Sequence, residues 1–202
     1  MTGNQSERIM KRTTMAAAAA LAGGLTLAAP LAAQEVCAVE GDYYDLDAAG
    51  VDAFYNCMSD RMVEGYTTEG NEIAAIYRDW TPTATRAAVP GPHGDRFLLT
   101  FANDIAAEQY LKFEEGDFEM PVGSVLAKES IAVRDGTGRV GPLFIMTKVD
   151  DAPDNDNWLY SAVQPNGKDM KISQSFCSDC HIGFDTQDSM GYPLEEVRLT
   201  AN

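Results

Sequence analysis

The fold is decided by residues 125–133, which read Val125-Leu126-Ala127-Lys128-Glu129-Ser130-Ile131-Ala132-Val133. Apolar residues alternate along this stretch, and Glu129 is the polar break in the pattern. Side chains of a β-strand alternate between the two faces of its sheet, so the stretch predicts a strand. Similar alternation predicts further strands over residues 97–101, 143–147 and 158–162. Turn residues separate these segments, at 135–136, 150–157 and 165–167.

Helical periodicity precedes and interrupts the strands. One helix is predicted by apolar residues at helical spacing, with Asp45 or Asp47 as its cap and Gly65 as its end. Its apolar face holds Val51, Phe54, Tyr55, Met58 and Met62. Shorter helices are predicted over residues 72–80 and 104–113, and a loop over the Pro- and Gly-rich residues 81–94. This order predicts an α+β domain with an antiparallel sheet and a few packed helices.

The N-terminus has the features of an export signal. Lys11 and Arg12 precede an apolar run over residues 15–31, and the small residues Ala32 and Ala33 follow. We expect cleavage after Ala33, which leaves a single periplasmic domain over residues 34–202. The run is short and rich in alanine, so no membrane span is expected after cleavage, although an uncleaved anchor is the alternative.

The charge of the chain restricts its partners. The sequence has 31 acidic and 15 basic residues, for a formal net charge of −16. Such a surface repels nucleic acid and anionic lipid, so neither is expected as a partner. Solubility alone is an equally simple reason for the charge.

The strongest chemical signal is the motif Cys177-Ser178-Asp179-Cys180-His181. The two thiols can each add to a haem vinyl group, and the adjacent histidine can then ligate the iron. The motif predicts one covalent haem c per chain, bonded to Cys177 and Cys180 and ligated by His181. A Cys-x-x-Cys disulfide in a thiol oxidoreductase without haem is the alternative. The two other cysteines, Cys37 and Cys57, are free to form a disulfide.

The ligand on the second face of the iron decides the function. An electron-transfer cytochrome has two protein ligands, whereas an open position binds a small molecule such as nitric oxide or hydroxylamine. His93 is one candidate for this ligand, although we expect a structural or solvent-facing role for it. The methionines that could ligate iron are Met58, Met62, Met120, Met146, Met170 and Met190.

The order of these features resembles the cytochrome P-460 family, which includes the cytochromes c′-beta. The haem motif follows a strand-rich region near the C-terminus, whereas common electron-transfer cytochromes c carry it near the N-terminus and are mostly helical. The resemblance extends over residues 66–192. Its supporting segments are residues 93–97, 120–129, 157–160, the haem motif and 188–192.

The resemblance implies a homodimer of sheet-based domains, with a five-coordinate haem and an open distal pocket. Members called cytochromes P-460 oxidise hydroxylamine, pass electrons to an external acceptor and carry a lysine cross-linked to the haem. The c′-beta members lack the cross-link, cap the distal side with phenylalanine and bind nitric oxide or carbon monoxide. The candidate caps here are Phe97, Phe101, Phe118 and Phe144.

Three further residues are candidates for a catalytic role under this resemblance. Lys128 is the candidate for the cross-link, because it lies on a half-apolar face of its predicted strand. An edge-strand lysine with its amine in water is the alternative. Hydroxylamine oxidation also needs a base, and Asp185 and Asp188 follow the haem motif closely. Surface aspartates are the alternative for both.

Overall fold

The structure is a computed structural model that describes residues 36–89 and 92–199. In these residues six strands form one antiparallel sheet, which confirms the predicted α+β class. The strands β1 to β6 are Thr81–Pro82, Phe97–Ala102, Val125–Arg134, Thr137–Val140, Leu143–Lys148 and Trp158–Val163. The helical segments α1 to α5 are Ala48–Thr67, Glu72–Ile76, Pro92–Asp95, Asp104–Tyr110 and Gln174–His181. The predicted signal peptide, residues 1–33, lies outside the described residues.

Strand β3 is the centre of the sheet, whose order is β1-β2-β3-β5-β6. One edge of β3 pairs with β2, from Phe97 opposite Ile131 to Ala102 opposite Leu126. The other edge is shared, because its first half pairs with β5 and its second half with β4. Strand β3 therefore pairs with three other strands, and this is why its alternating pattern extends over so many residues.

Each face of the sheet packs against its own apolar cluster. On one face, Ala127 and Ile131 of β3 pack in a cluster with Phe54, Met58 and Met62 of α1. On the other face, the second cluster is formed by Leu126, Met146, Tyr160, Met120, Trp158 and Met190, among others. Successive residues of β3 therefore face different surroundings, as strand geometry requires.

Helix α1 begins as predicted, because the Asp47 side chain accepts a hydrogen bond of 2.8 Å from the Gly50 N–H. It continues past Gly65, so the predicted C-terminus at this glycine was wrong. A Cβ at position 65 would lie 2.3 Å from the Pro165 carbonyl oxygen. Gly65 therefore permits the loop after β6 to approach the helix closely, and does not end it.

The described segment that precedes α1 is bonded covalently to this helix. Cys37 and Cys57 form a disulfide, which is the pairing that the sequence left open. Both residues belong to the α1 side of the sheet, where Cys37 is buried. The disulfide accounts for two of the four cysteines and leaves Cys177 and Cys180 as free thiols.

Glu129 is buried on the α1 side of β3 and is fully partnered. Its carboxylate accepts hydrogen bonds from the hydroxyls of Tyr55 and Tyr77, and from Nε of Arg78. Burial raises the pKa of Glu129, and the charge of Arg78 and these hydrogen bonds counteract the shift. The polar break in the strand pattern is thus a buried ionic cluster that joins α1 and the turn after α2 to the sheet.

None of the described helices is both long enough and apolar enough to cross a membrane.

Candidate haem site

A cavity of about 510 Å³ lies between α5 and the face of the sheet that carries Leu126, Met146 and Tyr160. This size is within the range of small-molecule and cofactor sites. Most of its lining is apolar. Its polar and sulfur-bearing lining residues include His93, Arg96, Lys128, Tyr160, Met170, Cys177, Cys180 and His181.

Helix α5 is fixed against the edge strand β6 by its first residue. The Tyr160 N–H donates to Gln174 Oε1 at 2.7 Å, and Gln174 Nε2 donates to the Tyr160 carbonyl at 2.8 Å. Residues three and four apart share one side of a helix, so Gln174, Cys177 and His181 lie on the same side. The pairing of Gln174 with β6 therefore turns Cys177 and His181 towards the cavity.

The two thiols of the haem motif both line the cavity and are not bonded to each other. Cys177 is half-buried, and burial raises the pKa of its thiol, so Cys177 is protonated at neutral pH. Cys180 is exposed. Two free thiols beside one histidine are the donor set that covalent haem attachment needs.

The ring of His181 is held in one tautomer by the backbone. Its Nδ1–H donates to the Ser189 carbonyl at 2.6 Å, which leaves the Nε2 lone pair free. This is the usual arrangement of a metal-binding histidine, in which the second nitrogen is oriented by a backbone carbonyl. Burial, and next the charge of Lys128, lower the pKa of His181 to about 4, so the imidazole is neutral at physiological pH.

The carbonyl of Ser189 is itself fixed by a buried network. Lys148 Nζ lies 2.7 Å from Asp188 Oδ1, and Trp158 Nε1 donates to the Asp188 carbonyl at 2.8 Å. The Ser189 hydroxyl donates to Asp156 Oδ2 at 2.6 Å. Asp188 and Ser189 both have positive φ, of 46° and 58°, which ordinary residues rarely adopt without such contacts. The network therefore determines where His181 can point.

Lys128 points into the cavity from β3, between its cross-strand neighbours Thr100 and Phe144. No ion pair of Lys128 is found among the described residues. Burial lowers the pKa of Lys128 to about 8. A part of the amine is therefore neutral near pH 8 and can act as a nucleophile.

His93 lies across the cavity from the haem motif. Its ring centre is 4.6 Å from that of Phe144 and 6.2 Å from that of His181. Burial, followed by the charge of Lys128, lowers the pKa of His93 to about 3, so this imidazole is also neutral. The sequence favoured a structural or solvent-facing role for His93 over iron ligation, and it did not show that the ring lies at the cavity.

The lining has further features that fit a haem group. Arg96 Nε and the Tyr160 hydroxyl are buried without a hydrogen-bond partner in the part of the chain that the structure describes. A haem carries two propionate carboxylates, which are acceptors for such donors. No aspartate or glutamate is among the lining residues described, so nothing there competes for these donors. The free thiols, the oriented imidazole and the unpaired donors together fit a covalent haem.

The structure brings together four of the six residues predicted for the site: Lys128, Cys177, Cys180 and His181. Asp185 is exposed, and its carboxylate accepts from the Thr186 N–H. Asp188 is buried but its carboxylate faces Lys148. Of the other candidates, Phe144, Met146, Met170 and Met190 line the cavity, whereas Phe97, Phe101, Met58 and Met62 belong to the α1 cluster.

An antiparallel sheet with a histidine and two free thiols at one cavity fits a c-type haem protein built on β-structure. A comparison with family models supports this class: the model described as Cytochrome P460 matches residues 74–190, which is more than half of the chain. The chain therefore belongs to the cytochrome P460 family, and a haem cofactor follows from this membership. The matched segment contains His93, Lys128 and the whole haem motif. A comparison with curated proteins found no match.

Proposed function

We propose that the chain is an exported, periplasmic haem c protein that binds a small nitrogen compound at its iron. The observation that carries this proposal is the imidazole of His181, oriented through Nδ1 by Ser189, beside two free thiols on the same cavity wall. Nitric oxide binding and hydroxylamine oxidation, which the sequence leaves open, need different side chains around the bound ligand.

Each residue of the motif has a defined part in the proposal. The thiols of Cys177 and Cys180 would hold the cofactor on α5 through its two vinyl groups. His181 would bind the iron through Nε2, with its ring oriented by Ser189. Arg96 and Tyr160 have the unpaired donors for propionate oxygens. The bound haem supplies a redox-active iron that takes small ligands.

The character of the cavity favours a small ligand with little charge. Most of its lining is apolar, which excludes water and disfavours a fully charged ligand. Its cationic residues, Arg96 and Lys128, stand without a carboxylate among the lining residues described. Nitric oxide, which is neutral and needs no base, suits these surroundings. We therefore take nitric oxide binding as the leading function.

Hydroxylamine oxidation is the second candidate, and Lys128 is the observation that favours it. An amine with a pKa of about 8, directed into the cavity, has the reactivity that a lysine–haem cross-link requires. The oxidation also releases protons and electrons. The predicted bases Asp185 and Asp188 are not among the lining residues described, so water would take up the protons, and the electrons would pass to an external acceptor.

The first experiment is an absorption spectrum of protein matured in a periplasm that has haem-attachment machinery. Ferric and ferrous forms are recorded, and then the spectrum in alkaline pyridine. An ordinary haem c pyridine spectrum, with tight binding of nitric oxide and no hydroxylamine turnover, supports the leading function. A complete absence of haem bands contradicts the proposal and leaves the thiol oxidoreductase.

The two candidates are separated by Lys128→Leu, with Lys171→Leu as the matched control at an exposed lysine. If the cross-link exists, the wild-type pyridine spectrum is abnormal and Lys128→Leu restores an ordinary one, while Lys171→Leu has no effect. Identical ordinary spectra for all three proteins rule out the cross-link and remove the argument for hydroxylamine oxidation.

A further inference from the structure

We infer that His93 is a second, displaceable ligand of the iron, on the side opposite to His181. The inference rests on the proposed haem and deepens it, because it defines what an incoming ligand must replace. The family resemblance implies an open sixth position. His93 instead closes that position in the resting protein of this chain.

The spacing of the two rings carries the inference. A bond between a metal and an imidazole nitrogen is about 2 Å long, and the nitrogen lies roughly 1 Å from its ring centre, so two axial histidines have ring centres about 6 Å apart. The ring centres of His93 and His181 are 6.2 Å apart. Their ring planes are perpendicular, at 89°, which is one of the orientations that axial imidazoles adopt.

The ring of His93 has no other polar role among the described residues. Neither ring nitrogen has a hydrogen-bond partner there, and the hydrogen bond found at this residue is from Arg96 to its backbone carbonyl, at 3.0 Å. The edge contact with Phe144 holds the ring in position without using a nitrogen. A neutral imidazole without a protein hydrogen bond has a nitrogen lone pair available to a metal.

The cavity also holds other residues near His181. The ring centre of Phe184 is 6.1 Å from that of His181, but phenylalanine has no donor atom, so His93 is the nitrogen donor found at this spacing, while Met146, Met170 and Met190 line the cavity as sulfur donors. The chain has two histidines in all, and both face this cavity. Imidazole is also a stronger ligand for ferric iron than a thioether, because it is the harder donor.

The backbone around His93 makes the ligand displaceable. His93 and Asp95 have φ values of 62° and 54°, in the left-handed region that residues other than glycine rarely occupy. Such strain persists where surrounding contacts hold it and is frequent at functional sites. Here an iron–imidazole bond would supply the contact, and its loss lets the turn at residues 92–95 relax. A strongly bonding ligand such as nitric oxide can therefore replace His93.

The test compares the wild type, matured with haem, with His93→Gly, because glycine adopts positive φ without strain. Without added ligand, the wild-type ferric and ferrous spectra should be six-coordinate and low-spin. His93→Gly should be five-coordinate and high-spin, and added free imidazole should restore the low-spin spectrum. His93→Phe, which retains a ring beside Phe144 but has no nitrogen, should also be high-spin and should serve if the glycine variant is unstable.

Two further readouts sharpen the test. The ferric wild type should give the strongly anisotropic electron paramagnetic resonance signal of perpendicular axial imidazoles. Its rate of ferrous nitric oxide binding should level off at high nitric oxide concentration, because His93 must leave first. In His93→Gly the rate should increase linearly with nitric oxide concentration.

A high-spin wild type that His93→Gly does not change overturns the inference. A low-spin wild type with a near-infrared methionine–iron band overturns it as well, since one of the cavity methionines is then the ligand. In both cases haem attachment and nitric oxide binding remain as evidence for the proposed function. Absence of haem contradicts the proposed function itself, so the two failures are distinguishable.

Discussion

Lys148 Nζ and Asp188 Oδ1 are 2.7 Å apart, and both side chains are almost completely buried. Asp188 immediately precedes Ser189, whose carbonyl accepts the hydrogen bond from His181. Burial raises the pKa of Asp188, and its hydrogen bond from Lys148 is the main influence in the opposite direction. Asp188, predicted from the sequence as a base, is in position to orient His181, the proposed iron ligand, instead.

Replacing Asp188 by asparagine should destabilise the protein by about 3–5 kcal/mol, because Lys148 would then be a buried charge without its counter-ion. Urea unfolding at pH 7 measures this loss. The double variant Lys148→Met/Asp188→Leu, which removes both charges, should recover a large part of it. If the single variant unfolds at the same urea concentration as the wild type, the pair has no structural importance.

Lys128→Met should stabilise the haem-free chain at pH 7 by about 1–3 kcal/mol, because it removes a desolvated amine. The pKa of Lys128 falls from 10.5 to about 8 on folding, so the unfolded chain binds more protons between these values. The free energy of unfolding of the wild type should therefore increase as the pH rises from about 8 to 10.5, and decrease as the pH falls through the same range.

Urea unfolding at pH 7 and pH 10, in a Cys177→Ser/Cys180→Ser background, measures this difference. Lys171→Met is the control, and its stability should follow that of the parent at both pH values. Equal pH dependence in Lys128→Met and the parent would show that the amine of Lys128 is well solvated in the folded chain.

Loss of the Cys37–Cys57 disulfide should cost about 3 kcal/mol, the value expected for a closed loop of similar length to the 20-residue separation here. The measurement is thermal unfolding of Cys37→Ser/Cys57→Ser. The haem content of the double variant should be unchanged, because the disulfide belongs to the α1 cluster and not to the cavity. A drop in haem content would mean that the disulfide also guides attachment.

Glu129→Gln should destabilise the protein by about 3–5 kcal/mol, since it leaves Arg78 half-buried without its counter-ion. Urea unfolding measures the loss. The haem spectrum should stay the same, because Glu129 faces α1. Glu129→Gln and Lys128→Met each remove one charge from neighbouring residues. The first should lower the free energy of unfolding, whereas the second should raise it.

The sequence predicted those parts of the fold that have a repeating pattern. Helix α1, its Asp47 cap and strands β2, β3, β5 and β6 all have clear periodicity. Strands β1 and β4 were missed, because β1 has two residues with a proline and β4 contains Gly138. A Cβ at Gly138 would lie 2.7 Å from Met58 Sδ, so this glycine is set by packing against α1, which no local pattern reveals.

The site was predictable only where its chemistry is local in the sequence. The haem motif is contiguous, and the alternation of β3 correctly directed Lys128 away from Ile131. The pairing of His93 with His181 depends on the packing of distant segments. The same is true of Lys148 and Asp188, which are 40 residues apart. His93 was a candidate iron ligand in the sequence, but nothing local in its loop showed that its ring lies near that of His181.

The neighbours Lys128 and Glu129 on β3 have a consequence for how this protein can evolve. The amine of Lys128 faces the cavity. The carboxylate of Glu129 faces the opposite side of the strand, where it joins α1 to the sheet. A single insertion or deletion in β3 would exchange these surroundings, and bury an unpartnered acid at the cofactor together with a lone amine beside Arg78. The register of β3 therefore cannot shift without disrupting both the cavity and the cluster that joins α1 to the sheet. Homologues should vary here by substitution and not by length.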